Sequence, residues 1–370
     1  MPILLRFIIL LLFVLPLSAV ADTQPEDVPL QTKISQMLMV GFRGLSLNEN
    51  PQFAADLRDG KIGGVILFDY DVARQSQRRN IESKSQLKAL IAELQQASPR
   101  PLLIAIDQEG GQIARLKERH GFPPTRSAKA LGKKDDPDFT RRETEKLAAT
   151  LAEVGINLNL APVVDLCSNP DNPVISGYQR CFSTDPQRVA KQAAAYIDAH
   201  HQKGILTSLK HFPGHGSSHQ DSHNGFTDIS ALWNESELIP YRRLIESGHA
   251  DSIMTAHVFN RYLDKEYPAT LSPVVIKRLL RQKLGFEGVI ISDDLQMRAL
   301  ADHYSFEDRI RLALQADIDI LLFGNNLDYD PKLVQRAQTT INRLVAEGII
   351  SEDKIERSFQ RVTRLKNKLN

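Results

Sequence analysis

Eight short apolar runs rich in β-branched residues recur along the chain, at 37–42, 64–68, 102–106, 156–160, 206–209, 252–256, 289–291 and 320–323. Between them lie stretches whose apolar residues repeat at helical spacing, among them 87–94, 143–154, 190–201, 236–245, 274–284 and 308–314. Continuous apolar runs, as opposed to alternating ones, belong to strands covered on both faces. Strand and helix taking turns in this way specify a parallel sheet with its helices outside, and eight such units favour a closed (β/α)8 barrel over an open doubly wound sheet. Two further amphipathic stretches, 333–344 and 351–369, suit outer helices of the same barrel, so that residues 22–370 read as a single catalytic domain.

A barrel places its chemistry where the strands end, and those ends carry charge. Asp107 follows the third run, Asp165 the fourth, Lys210 and His211 the fifth, His257 the sixth, and Asp293 with Asp294 the seventh. A lone aspartate at a strand end is more often a cap than a catalyst. Five loaded ends together are harder to read that way. The densest is KHFPGHGSSHQDSH, residues 210–223, in which His211, His215, His219 and His223 recur at every fourth position. On a helix they would line one face as a metal site, but Pro213, Gly214 and Gly216 break any helix there, so the segment reads as an active-site loop leaving a buried strand.

Composition narrows the function classes. The 370 residues are 42% apolar and 25% charged, ordinary for a globular protein. The first 21 differ: Arg6 precedes an apolar stretch from Phe7 to Leu15, Pro16 interrupts it, and Ala19-Val20-Ala21 offers small residues for cleavage. This pattern reads as a signal peptide and predicts an exported protein, periplasmic or secreted, with no integral membrane segment once it is cleaved. Removing residues 1–21 takes one of 46 basic residues and none of the 45 acidic ones, leaving a balanced chain with no footprint for nucleic acid. Two cysteines remain, Cys167 and Cys181. An exported chain allows a disulfide between them, and two free thiols is the alternative. Glycine-rich phosphate loops, a GxSxG elbow and an HExxH pair are all missing from the sequence, which disfavours nucleotide, serine-esterase and zincin chemistry.

A carboxylate facing a proton donor is the arrangement that cleaves glycosides, one group attacking the anomeric carbon and the other protonating the leaving oxygen. Asp293 is the candidate nucleophile. His223 is the candidate acid/base, and Asp221, two residues before it, can fix the ring's tautomer and favour its charged form. These segments, with IDQEGGQIARL (106–116), NPVISGYQRCFSTDP (172–186) and LLRQKLGFEGVIISDDLQM (279–297), resemble glycoside hydrolase family 3, in particular its single-domain bacterial β-N-acetylglucosaminidases. The resemblance spans essentially the whole mature chain. It implies a retaining double displacement without a cofactor or metal, using Asp293 as nucleophile and the His223/Asp221 dyad as acid/base. It also implies that Asp107, Arg115, Arg180, Lys210 and His211 hold the terminal N-acetylglucosamine. The chain departs from the pattern at Cys181, where serine is usual, and at Gln112, where arginine is common, so subsites beyond the first sugar are expected to differ.

The substrate expected is an N-acetylglucosamine-terminated muropeptide or chitin-like oligosaccharide, cut by a monomer. Two other classes stay open: a phosphorylase using the same site with phosphate in place of water, and a catalytically silent sugar-binding protein. Asp294 is the alternative nucleophile, because successive strand residues face opposite ways.

Overall fold

The computed structural model of the chain describes residues 28–222 and 225–369. The leader at 1–21 and His223 therefore lie outside the described residues.

Eight parallel strands carry the fold: β1 (Leu38–Gly41), β2 (Gly64–Leu67), β3 (Leu103–Ile106), β4 (Leu158–Asn159), β5 (Leu206–Phe212), β6 (Ser252–Thr255), β7 (Val289–Ile291) and β8 (Leu321–Phe323). They pair in the order β8-β1-β2-β3-β4-β5-β6-β7. A bridge between Ile291 and Ile320, with the amides of Asp319 and Ile320 donating to Ile290 O, draws the two edges together into the expected (β/α)8 barrel. All eight apolar runs became its strands, in the expected order.

Alternation along each strand divides the core into two layers. Met39, Ile66, Leu103, Ala105, Leu158, Met254, Val289 and Leu322 point into the barrel. Their neighbours Leu38, Val40, Val65, Ile104, Ile253 and Ile290 point outward under the helices. The helices start where local chemistry supports them. Ser83 caps Lys84–Ala97, and aspartates followed by proline at the first helical position, Asp136-Pro137 and Asp185-Pro186, begin Pro137–Val154 and Pro186–His201. Val274–Lys283 winds as a π-helix. The sequence reading did not anticipate the short helices Leu30–Gln36 and Pro51–Arg58, or a two-residue parallel pair between Thr227–Asp228 and Val258–Phe259. Among the described residues no helix is long and apolar enough to cross a membrane.

The helix Glu352–Lys366 closes the end of the barrel where strands begin. Its Val362 and Leu365 join the interior cluster, and Lys366 Nζ donates to Gln36 Oε1, Gly63 O and Pro101 O, each just ahead of a strand. With that end plugged, the strand C-termini form the open face.

One boundary differs in a way that matters. The sequence reading ended the fifth strand at Leu209 and put Lys210 and His211 on the loop, whereas β5 runs on to Phe212. Its pairing with β6 shifts register between Leu209 and Phe212. Polar residues stay in the strand here because the barrel mouth supplies ionic partners that a hydrophobic pattern does not register.

Candidate active site

A cavity of about 410 Å³ opens at the C-terminal face. Its floor is apolar, made by Ile66, Leu160, Met254 and Leu322 from the barrel interior, and its wall is charged. A concave enclosure with an apolar floor and polar groups converging from its wall is the usual form of a small-ligand site.

The wall is one connected network. Asp107, just past β3, receives Lys210 Nζ at 2.7 Å and Arg115 Nη2 at 3.4 Å. Lys210 also meets Glu109 Oε1 at 2.8 Å. Arg180 grips Glu109 through two parallel hydrogen bonds, Nε to Oε2 and Nη2 to Oε1, both 2.8 Å. The same Nη2 lies 3.0 Å from His211 Nε2. A guanidinium can only donate, so His211 Nε2 accepts, and the ring proton sits on Nδ1, which donates to Asp165 Oδ2 at 2.7 Å. Asp165 Oδ1 in turn accepts from the backbone amides of His211 and His215. The chain from Asp165 to Asp107 thus alternates acceptors and donors, with each buried carboxylate met by donors.

Pairing keeps these groups ionised despite burial. Burial pushes the carboxyls of Asp107 and Asp165 up, but Lys210 and Arg115 in the first case and His211 and His215 in the second outweigh it, so both end below the usual range. For Glu109 burial is likewise overcome, by Arg180 and Lys210, and its pKa falls to about 2. Lys210 and Arg180 are displaced upward, their burial outweighed by the same carboxylates. His215 goes the other way, lowered to about 4 chiefly by burial, and stays neutral.

Two aspartates follow β7 in succession. Both line the cavity. Asp294 Oδ1 accepts from the amides of Gly324 and Gln296 at 2.9 and 3.0 Å, and its carbonyl accepts from His257 Nε2 at 2.9 Å. Asp293 Oδ1 accepts from the Asp294 amide at 2.8 Å. The bond from Gly324 ties Asp294 to the residues just beyond β8.

The loop after β5 is held by the residues beneath it. His215 and Ser218 meet through Nδ1 and Oγ at 2.9 Å, and His215 Nε2 lies 3.2 Å from Ser222 Oγ. Gly216 has no room for a side chain, since a Cβ there would sit 1.9 Å from Leu166 O. Glu237, buried, accepts from the Leu166 amide and the Ser168 hydroxyl. Burial, with the charge of Asp165, pushes its pKa up to about 8, although these two donors and the Ser217 amide pull it back.

Of the residues expected from sequence, Asp107, Arg115, Arg180, Lys210, His211 and Asp293 all line this cavity. Asp221 sits half-buried on the loop and is not among the described cavity residues, and its partner His223 lies outside the described residues. Cys167 and Cys181 form the disulfide that the sequence left open. Sequence reasoning missed Glu109, the hub between Lys210 and Arg180. Its position two residues beyond Asp107 was a usable signal, since alternate residues of an extended chain share a face. Glu237 carries no such signal, because only the fold brings it beside Leu166 and Ser168.

The chain is similar to several known proteins. A model of the glycosyl hydrolase family 3 N terminal domain matches residues 29–365. A β-hexosaminidase of Tolumonas auensis is 38% identical over 292 residues, covering 78% of this chain and 83% of the relative. Among solved structures, a glycoside hydrolase family 3 β-N-acetylglucosaminidase from Paenibacillus sp. strain FPU-7 is similar at TM-score 0.82 and 32% identity, covering 92% of this chain and 63% of that one. The β-N-acetylhexosaminidase of Beutenbergia cavernae is similar at TM-score 0.81 and 26% identity, covering 92% of this chain and 99% of its own.

Proposed function

Because the chain belongs to the glycosyl hydrolase family 3 N-terminal domain family and is a glycoside hydrolase of the β-hexosaminidase type, we propose that it removes terminal, non-reducing β-linked N-acetylglucosamine with retention of configuration. The Asp293 carboxylate attacks the anomeric carbon while His223 gives its proton to the departing glycosidic oxygen. Water then attacks the glycosyl-aspartate, and His223, now neutral, takes the proton. Asp221 accepts from the other ring nitrogen and so makes the imidazolium easier to form. The observation that carries this reading is the cavity itself, which offers Asp293 beside a wall of paired charges, with Asp294 already engaged by backbone amides.

The wall residues hold the sugar. Asp107 accepts from ring hydroxyls, while Arg115, Lys210 and Arg180 donate to them, and His211 is fixed by Asp165 to present one defined tautomer. Pairing matters because a charge already neutralised by its neighbours accepts a hydroxyl without a new burial penalty.

The natural substrates in this proposal are peptidoglycan fragments or chitin-like oligosaccharides, met outside the cytoplasm after the leader at 1–21 is cut. The Cys167–Cys181 disulfide supports that placement, since such bonds persist in oxidising compartments. The test is release of 4-nitrophenol from the β-N-acetylglucosaminide and from the matching β-glucoside, with and without phosphate and chelator. Release from the acetamido sugar alone, indifferent to both additives, is expected. Dependence on phosphate would make the protein a phosphorylase, and no release from either glycoside would leave a sugar-binding protein.

A further inference from the structure

Residues 167–181 form a platform lying between the sugar clamp and the loop that carries the acid/base. Cys167 and Cys181 close it, and they pack with Val163, Val174 and Ile175 in a small apolar cluster separate from the main core. At one end the chain runs directly from Cys181 to Arg180, whose guanidinium grips Glu109. In the middle Asn172, fully buried, works in two directions. Its Oδ1 accepts from the amides of Val174 and Ile175, within the platform. Its Nδ2 donates to His215 O at 2.8 Å, Gly216 O at 3.1 Å and Ser218 Oγ at 3.2 Å, on the loop. Asn169 adds a bond to Ser218 O.

The loop's own inner bonds continue this line, from Ser218 to His215 and from His215 to Ser222, the residue before His223. One short segment therefore touches both the arginine proposed to hold the sugar and residues 215–218 at the base of the loop after β5. The segment has no strand or helix of its own, so its order rests on its closure, on Asn172 and on turn bonds such as Arg180 N to Ile175 O and Ser176 Oγ to Asn169 O. Closing a chain removes conformations in which its ends drift apart, and opening it restores them.

We propose that the Cys167–Cys181 disulfide and Asn172 act together as a positioning device, holding Arg180 and the base of the loop after β5 at His215–Ser218, so that opening the disulfide impairs binding and turnover without unfolding the barrel. This rests on the hydrolase reading above. Cys181 is buried but Cys167 is partly exposed, so a dithiol reductant has a sulfur to attack. The dithiol supplies two electrons and two protons, leaving Cys167 and Cys181 as thiols and becoming a cyclic disulfide itself.

The test compares oxidised wild-type protein, the C167S/C181S double variant, N172A and the triple variant, on 4-nitrophenyl β-N-acetylglucosaminide. Expected for C167S/C181S is a fall in kcat/KM of about tenfold or more, with KM and the inhibition constant of free N-acetylglucosamine both raised and the melting transition still cooperative. N172A should fall similarly, mainly in kcat, and the triple variant should lose less than the product of the two, as residues sharing one element do. Values of kcat/KM for C167S/C181S within twofold of wild type, or losses that simply multiply, overturn the proposal. If C167S/C181S does not fold, wild-type protein is reduced under native conditions until two thiols titrate. Loss of activity that reoxidation reverses supports the device, and undiminished activity overturns it. An inactive oxidised wild type would instead sink the hydrolase reading itself.

Discussion

Asp293 and Asp294 have the same chemistry and adjacent positions, and the proposal gives the nucleophile's role to Asp293. Asp294 accepts from two backbone amides across the turn, so its replacement by asparagine, which keeps one acceptor oxygen, should cost about 1–2 kcal/mol of stability and leave turnover within tenfold of wild type. Asp293→Ala should leave a folded protein whose kcat has dropped by at least ~10³-fold, even on aryl glycosides. Steady-state rates and a thermal melt on both variants check this, and a reversed pattern would move the nucleophile to Asp294. For His223→Ala the loss depends on the leaving group. Departure of 4-nitrophenolate needs little acid help, so kcat/KM should fall little there, although kcat drops because deglycosylation lacks its base, and kcat/KM should fall about 10²-fold or more on a natural oligosaccharide. An equal loss on both would assign the residue to binding.

At the scale of elements, the strands were legible because each is a run of apolar residues bounded by turn chemistry, and a barrel strand must be apolar on both faces. What hydrophobic pattern could not register was where polar residues remain in a strand. β5 keeps Lys210 and His211 because Asp107, Glu109 and Asp165 wait at the barrel mouth, and those partners lie in the segments that follow β3 and β4, which sequence order holds far from β5. Most of the cavity wall was legible as charged strand ends, while Glu109 and Glu237 act through contacts that only folding creates. Glu237 also gives the loop a pH dependence. Its folded pKa, about 8, lies above the ordinary 4.5, so the stability it contributes is fully present below pH 4.5 and is lost as pH rises through 8. Glu237→Gln keeps one acceptor for Leu166, Ser168 and Ser217 but cannot ionise. The variant should be less stable than wild type by about 1–3 kcal/mol at pH 4.5, and the gap should close and reverse between pH 4.5 and 8 and level off above that. Melting temperatures of the two proteins across that range decide it. A gap that stays constant would mean Glu237 does not change ionisation there.

Taken whole, the molecule divides its two tasks between the two ends of the barrel. The open end holds the paired charges, and the closed end is sealed by the helix Glu352–Lys366 through Val362 and Leu365. Val362→Asp places an unpaired carboxylate in that seal and should cost about 3–5 kcal/mol. At temperatures where the variant is still folded its KM should match wild type, because no cavity residue is touched, and a raised KM would mean the two ends are coupled. The central claim, that this barrel is a retaining β-N-acetylglucosaminidase, is tested most directly by following digestion of 4-nitrophenyl β-N-acetylglucosaminide by proton NMR in phosphate-free buffer. The β anomer of free N-acetylglucosamine should appear first and mutarotate slowly to the mixture. First appearance of the α anomer would contradict a double displacement through Asp293, and no free sugar at all would contradict the hydrolase.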